Sequence, residues 1–473
     1  MIKRFLSRFN LRYVHSLVYM LQATEYKVGD YFSWLKRVDD FRFVEKRKKL
    51  VKTLKAKTLL VMGWLIWIVA ILFSVFYSSI FGYVSTIFLI ILSPYVLAYA
   101  LGIIVLLGQF VQIPVENVII SQARKVLIRH KATRIAIAGS FGKTTMREIM
   151  NIVLSEGKKV AAPPHSYNTP LSIAKFVKEL KGDEEILIFE FGEYYPGDIR
   201  RLCEFVKPDM GVITGINEAH LAKFETLDKT AKTIFELADF LGDKPVYVNG
   251  ESENARAHAR KNHIIYDRNG VSDMQVKKAE TDLSGTSFTL AINEKEWNFK
   301  SSLLGLHQIG PLTAAIAIAR GNGLSLGQIQ SGIAKTKPFE HRLEPIYGED
   351  GVTILDDSYN GNPDGVKAVI EFLSSLKTGG RRIYVTPGLV EMGARTKEVH
   401  REIGRELAKA RIEKVVLIKN SVTSYIEEGL KESQYEGEVI WFSDALSAFA
   451  ALPQMTAKGD IVLLQNDWPD QYA

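Results

Sequence analysis

IAIAGSFGKTTMREIM, residues 135–150, joins a β-rich run to a helical pattern through two glycines. The common nucleotide-loop spacing G-x-x-x-x-G-K-[ST] would require glycine at 137, where Ile137 stands. A shortened loop remains, Gly139-Ser140-Phe141-Gly142-Lys143-Thr144-Thr145, between the strand Thr133–Ala138 and a helix predicted over Thr144–Leu154. Gly139 and Gly142 bracket a tight turn, so backbone N–H groups and the helix N-terminus converge on one spot, an anion site. Lys143 then supplies a cation to β/γ-phosphates, and the Thr144 hydroxyl reaches Mg²⁺. The bland alternative is a chance turn, and the flanking strand and helix speak against it.

Outward from the loop, the series continues. Strands are predicted at Ile186–Phe191, Met210–Thr214 and Pro245–Val248, with helical stretches between them. A second series runs from VTILDD at 352 through RRIYVTPG and KVVLIK to DIVLLQ. Strands alternating with helices predict parallel sheets covered on both faces. The fold class expected is therefore α/β, with a central nucleotide-binding domain over 116–338 and a Rossmann-like C-terminal domain over 339–473.

The loop begins only after a very different region. Between Thr58 and Val115, 58 residues pass without a charge. That length suits two transmembrane helices, broken near Ser78-Ser79 to Gly82, and it begins too late for a signal peptide. Residues 1–57 carry 15 Lys/Arg against 5 Asp/Glu, so the chain's net charge of +7 belongs to this short segment. A nucleic-acid partner is not expected. The run from Lys46 to Lys57 places that flank in the cytoplasm by the positive-inside rule, and two spans return the chain to the same side. Both termini and the catalytic domains are therefore expected in the cytoplasm, at the inner membrane. Residues 1–45 mix aromatics with arginines, which suits either a helix on the anionic leaflet or a plain solvated helix. The single cysteine, Cys203, excludes a disulfide framework and a Cys-rich metal site.

Six segments from about Arg134 onward resemble the Mur ligase family, and within it the MurF type. They are the shortened loop itself, FEFGEYYPGDI at 189, ITGINEAHLAKF at 213, HRLEPI at 341, LDDSYNGNPDGVKA at 355 and PGLVEMGARTKEVHREIG at 387. The resemblance implies an ATP-dependent ligase that activates a carboxylate as an acyl phosphate, which an amine then attacks. It implies ATP and Mg²⁺ as cofactors, a peptidoglycan-precursor acceptor and a D-Ala-D-Ala-like amine as partners. Lys143, Glu190, His220 and Arg342 take catalytic roles, with Thr144, Glu190 and His220 on the metal. Gly139 to Thr145, Arg342, Asp357 and Tyr359 contact the nucleotide, and Asn360 lies in the same loop. An ordinary Asx-turn is the alternative for Asp356-Asp357, and a surface strand end for Glu190.

The departures are as informative. Only residues 116–132 separate the apolar tract from the first strand, so the family's domain for the UDP end of the substrate has no counterpart there. A lipid-linked acceptor at the inner leaflet is then an alternative to a UDP-linked one. GLHQIGP at 305 puts Pro311 where the family has an adenine-contacting Asn, and QNDWPDQY at 465 stands where many relatives have K-G-S. The family's carbamoylated lysine aligns with Ile234, two residues from Lys232, which a helix turns to another face. Two further readings are a membrane-associated poly-γ-glutamate synthase-like ligase and a membrane scaffold that binds nucleotide as a switch.

Overall fold

The computed structural model describes every residue except Met1, Glu25, Phe43, Glu45–Lys48, His165, Ser166, Ala219–Lys223, Glu225, Asn360 and Asp467–Ala473. Residues 2–118 and 119–466 form two compact units.

The first unit is helical. α1 (Ile2–Leu6), α2 (Tyr13–Ala23) and α3 (Val28–Arg37) precede two long apolar helices, α4 (Leu54–Phe81) and α5 (Tyr83–Arg129). Both are long and apolar enough to cross a bilayer. The break between them is the single residue Gly82, whose φ of 85° is the left-handed conformation that glycine adopts without steric cost. No helix boundary falls near Val115; α5 runs on to Arg129. Within α5, Pro94 removes the amide that would bond the carbonyl of Ile90, and the Ser93 hydroxyl donates to that carbonyl at 2.9 Å instead.

The described residues of 1–45 do not form a free solvated helix; they pack on the apolar helices. Tyr13, Leu17, Met20 and Tyr31 are fully buried in one core with Leu59, Leu97, Ala98 and Leu101 of the apolar helices. Two tyrosine hydroxyls anchor the contact: Tyr13 donates to the Pro94 carbonyl and Tyr31 to that of Ala98, each at 3.0 Å. Gly63 and Gly102 permit the approach, since a Cβ at either would lie under 3.0 Å from Val14 or Phe32. The aromatics that suggested a leaflet surface cover the base of the hairpin, where each large apolar side chain contributes about 2 kcal/mol by leaving water.

The second unit holds two α/β domains. In the central one β1 (Thr133–Ala138), β2 (Val160–Ala161), β3 (Ile186–Glu190), β4 (Met210–Ile213), β5 (Val246–Asn249) and β6 (Ile264–Asp267) are parallel; β7 (Gly270–Val271), β8 (Met274–Asp282), β9 (Gly285–Ile292) and β10 (Lys295–Ser301) extend the sheet antiparallel. The order is β10-β9-β8-β7-β6-β5-β4-β1-β3-β2. β1 is buried on both faces: Ile135 and Ile137 enter one core, Ala136 and Ala138 the other. Sequence reading passed over the antiparallel extension, whose strands alternate lysine, glutamate and threonine with buried Phe288, Leu290 and Ile292.

The C-terminal domain has β11 (Glu344–Tyr347), β12 (Thr353–Asp357), β13 (Arg382–Thr386), β14 (Lys414–Ile418), β15 (Glu438–Phe442) and β16 (Ile461–Gln465), in the order β11-β12-β16-β13-β14-β15. All pairs are parallel except the edge strand β11 against β12. The four strands expected from 352 onward are β12, β13, β14 and β16.

Candidate active site

The loop at the carboxyl end of β1 forms a backbone cradle. Gly139 has φ 150°, and a Cβ there would stand 2.3 Å from the Thr214 hydroxyl, so no side chain fits. The Ser140 amide donates to the Gly215 carbonyl at 2.7 Å, pinning the loop to the end of β4. Phe141 lies over Gly215, where a Cβ would come within 2.3 Å of its ring. Gly142, at φ 76°, turns the chain into α6 (Lys143–Leu154), whose first turn carries Lys143, Thr144 and Thr145.

Three side chains meet over this cradle. Lys143 Nζ donates to Glu193 Oε2 at 2.9 Å and to the Gly139 carbonyl, so the ammonium sits over the loop against a carboxylate. Thr144 Oγ1 donates to Glu190 Oε2 at 3.0 Å, and Glu190 is the last residue of β3. Hydroxyl and carboxylate oxygens are hard donors of the kind Mg²⁺ takes, with phosphate oxygens and water completing its shell. The Ser140 hydroxyl is buried without a partner among the described residues, as a group awaiting a ligand would be. The loop therefore fits a nucleotide phosphate with Mg²⁺.

The C-terminal domain supplies the rest. Arg342 packs over the Tyr359 ring, 4.9 Å from its centroid, and its Nε is buried without a partner among the described residues. Burial lowers the Arg342 pKa, against the pull of Asp357, Tyr359 and Glu190; an arginine remains charged throughout. Asp357, at the end of β12, accepts from Gln465 Nε2 at 2.8 Å and from the Leu343 amide at 3.1 Å. Burial pushes its carboxyl up to about 6, against the opposing influence of Arg342 and these two hydrogen bonds.

Contacts join the two domains beside the site. Asn217, just past β4, donates to Asn362 Oδ1 at 2.7 Å and to Asp364 Oδ2 at 2.8 Å. Glu218 pairs with Arg395, and Arg268 with Glu371 at 3.1 Å. The chain passes between the domains through His341 and Leu343, both with positive φ (61° and 48°).

Lys143, Thr144 and Glu190 are thus brought together on one domain, and Arg342, Asp357 and Tyr359 on the other, with Glu190 close enough to act on Arg342. His220 and Asn360 lie outside the described residues. Lys232 is 72% exposed and pairs with Asp228 at 2.7 Å, while Ile234 on the same helix, Leu227–Leu241, is fully buried. Glu193, Asn217, Gln465 and Asn466 escaped sequence reading. For Glu193 a signal existed: a second acid three residues beyond Glu190, in the loop that follows β3. Gln465 and Asn466 open the very QNDWPDQY segment whose family motif is lost, and Asn466 Oδ1 accepts from the Gly361 amide at 2.8 Å.

A P-loop domain and a second α/β domain facing each other across a phosphate cradle define a class of two-domain nucleotide-dependent enzymes. Residues 137–319 match the Mur ligase middle domain, and residues 341–465 match the family described as Mur ligase, glutamate ligase domain. The two matches cover well over half of the sequence, and the chain belongs to the Mur ligase family. It is 26% identical over 356 residues to the UDP-N-acetylmuramoyl-tripeptide--D-alanyl-D-alanine ligase of Bacillus subtilis (strain 168), covering 73% of this chain and 76% of the relative. The enzyme of that name from Mycobacterium tuberculosis (strain CDC 1551 / Oshkosh) is 27% identical over 362 residues, 72% of this chain and 71% of its own length. Among solved structures, the MurF ligase of Thermotoga maritima in complex with ADP shares the fold, with a TM-score of 0.66 at 24% identity over 74% of this chain and 80% of that one.

Proposed function

We propose that this chain is an ATP-dependent ligase of the MurF type, adding D-Ala-D-Ala to a muramoyl-tripeptide precursor of peptidoglycan. The observation that carries this reading is the joint placement of Lys143, Thr144 and Glu190 on one domain and of Arg342 and Asp357 on the other, in a chain whose curated relatives bear that name. Phosphoryl transfer needs cations in fixed places and exclusion of water. Lys143 leaves Glu193 to hold the β/γ-phosphates, and Arg342 meets the transferring group from the opposite domain. Thr144 and Glu190 would hold Mg²⁺, with His220 as the third ligand that the family resemblance implies, and the ion would supply positive charge against the phosphate oxygens. The acceptor carboxylate forms a P–O bond to the γ-phosphorus as ADP leaves; the amine then attacks the acyl carbon, phosphate departs, and the nitrogen loses its proton. The Asn217 and Arg395 contacts hold the domains together over the intermediate, which water would otherwise hydrolyse.

We further propose that the apolar hairpin anchors the enzyme at the inner membrane, with the catalytic unit in the cytoplasm, and that the acceptor is lipid-linked. The support is the hairpin unit itself, which occupies the chain ahead of the family match. Phosphate release measured with the UDP-linked tripeptide and with the lipid-linked one, each with ATP and D-Ala-D-Ala, separates the substrates. Turnover on the UDP-linked form alone refutes the lipid-linked acceptor and leaves the ligase reading intact.

A further inference from the structure

The first unit carries a boundary along the length of its hairpin. The N-terminal helices cover one side of it between Ala56 and Trp67 on α4 and between Leu97 and Val105 on α5. The outer face of that cover is charged: Asp30, Lys36 and Arg37 of α3 are exposed, and Asp40 pairs with Lys3 and Arg42 beyond it. Such groups cost several kcal/mol each in hydrocarbon, so the level of the hairpin that they flank lies in water or among headgroups.

An aromatic layer marks where the cover ends. The Trp64 and Trp67 rings lie 5.7 Å apart on α4, tilted by 33°; Trp67 is buried and its Nε1 donates to Ser93 Oγ of α5 at 3.2 Å, which sets the two helices in register, while Trp64 is exposed and Tyr95 and Tyr99 follow on α5. Tryptophan and tyrosine favour the membrane–water interface. Beyond this layer, Ser74, Thr86 and Ser93 aside, the described side chains are apolar, and Val69, Leu72, Phe76, Val84 and Ile87 among them are more than half exposed. The turn at Gly82 is a single residue with no charge on either side.

The part beyond the layer is short, although exposed apolar side chains continue along the base at Val61, Ile113, Val115 and Val118. From Trp67 to Phe81 is 14 residues, and from Tyr95 back to Tyr83 is 12. At 1.5 Å per residue the tip reaches about 18–21 Å beyond the aromatic layer, against about 30 Å for the whole hydrocarbon core. The lysines at 49, 52, 55 and 57 lie on the other side of that layer, exposed and placed for anionic headgroups.

We propose that the hairpin does not span the bilayer: it enters the cytoplasmic leaflet alone, its tip ending near the bilayer centre, with the charged face of the N-terminal helices in water. Leu65, Ile103, Leu107 and Phe110, apolar and exposed on the base, then rest among headgroups on a tilted hairpin. The inference deepens the anchor reading given above. Charge and aromatic placement carry it, because length and hydropathy alone suit a full crossing equally well.

The test is a depth scan of the full-length protein in phosphatidylglycerol-containing vesicles, with single cysteines at Val69, Leu72, Phe76, Val84, Ile87 and Ile91 carrying nitroxide labels. Cys203 does not compete, being fully buried, with a thiol that burial pushes up to about 12. Depth, read from the ratio of oxygen to nickel-chelate relaxation, is expected to rise steadily from Val69 to Phe76 and from Ile91 to Val84, with Val84 deepest. Depth that peaks between Val69 and Leu72, with Val84 back at headgroup level, shows a complete crossing and overturns the proposal. No protection from the chelate at any of the six positions, in protein that does not float with the vesicles, refutes the membrane anchor itself.

Discussion

Lys143 and Glu193 show what a buried ion pair implies for a substitution. Lys143→Ala removes the cation proposed for the β/γ-phosphates and also strands the Glu193 carboxylate, which is only 2% exposed. Turnover is expected to fall to background, and unfolding free energy to drop by on the order of 3 kcal/mol. Adding Glu193→Gln to that variant restores most of the stability and none of the turnover, as denaturant titration and phosphate release measured in parallel would show; ATP turnover surviving in either protein contradicts the role given to Lys143. Asp357 supplies a pH signature. Its folded pKa, about 6, lies above the unfolded value of 3.8, so the native state holds a proton that the unfolded chain has released. The stability this proton confers is fully present below pH 4 and is lost as pH rises through 6. Relative to Asp357→Asn, the wild type should lose up to about 3 kcal/mol between pH 4 and 7; a difference that stays flat across that range shows that the carboxyl is not perturbed. Lys232, exposed and paired among the described residues with Asp228 of its own helix, is expected to be dispensable. Lys232→Ala should leave turnover within about twofold of wild type and indifferent to bicarbonate, whereas a large loss rescued by a short-chain acid would assign the carbamate to Lys232.

At the scale of elements, the loops that carry chemistry were the legible part. The Gly139 to Thr145 turn announces itself because positive φ at two positions and a strand-to-helix switch leave few alternatives, and β1, β3 and β4 read clearly as runs buried on both faces. β7 to β10 were illegible for the opposite reason: one-sided burial leaves strands such as KKAETD looking like a solvated segment. Cross-domain partners are harder still. Asn217 and Asp364 lie 147 residues apart, and nothing local to either signals the other. Asn362 does two things at once, capping the helix Pro363–Ser375 through the Gly365 amide at 3.0 Å and accepting from Asn217. Asn217→Ala leaves that cap in place, so helix stability should be unchanged while turnover falls about tenfold, as expected when about 1.4 kcal/mol of closure is lost. A fall in thermal stability matching that of Asn362→Ala would instead make Asn217 a structural residue.

Over the whole molecule, composition separates two regimes of the chain, and packing decides how the first of them is built. The charge-free tract is two helices joined at Gly82, as the sequence indicated; the fate of residues 1–45 depended on which side of Tyr13 and Tyr31 found a partner, and a one-dimensional pattern of aromatics and arginines is the same for a leaflet and for a protein core. The catalytic unit is where residue chemistry, strand order and family relationship meet, and the proposed ligase requires coupling: ATP should be turned over only when a carboxylate is there to receive the phosphoryl group and an amine to displace it. Phosphate release by the full-length protein, measured with ATP, Mg²⁺, a muramoyl-tripeptide acceptor and D-Ala-D-Ala together and with each omitted in turn, tests this directly. Sustained release that requires all four, with the pentapeptide accumulating in equal amount, is the predicted result. ATP hydrolysis at an unchanged rate without acceptor and amine would contradict it and mark the chain as a nucleotide switch.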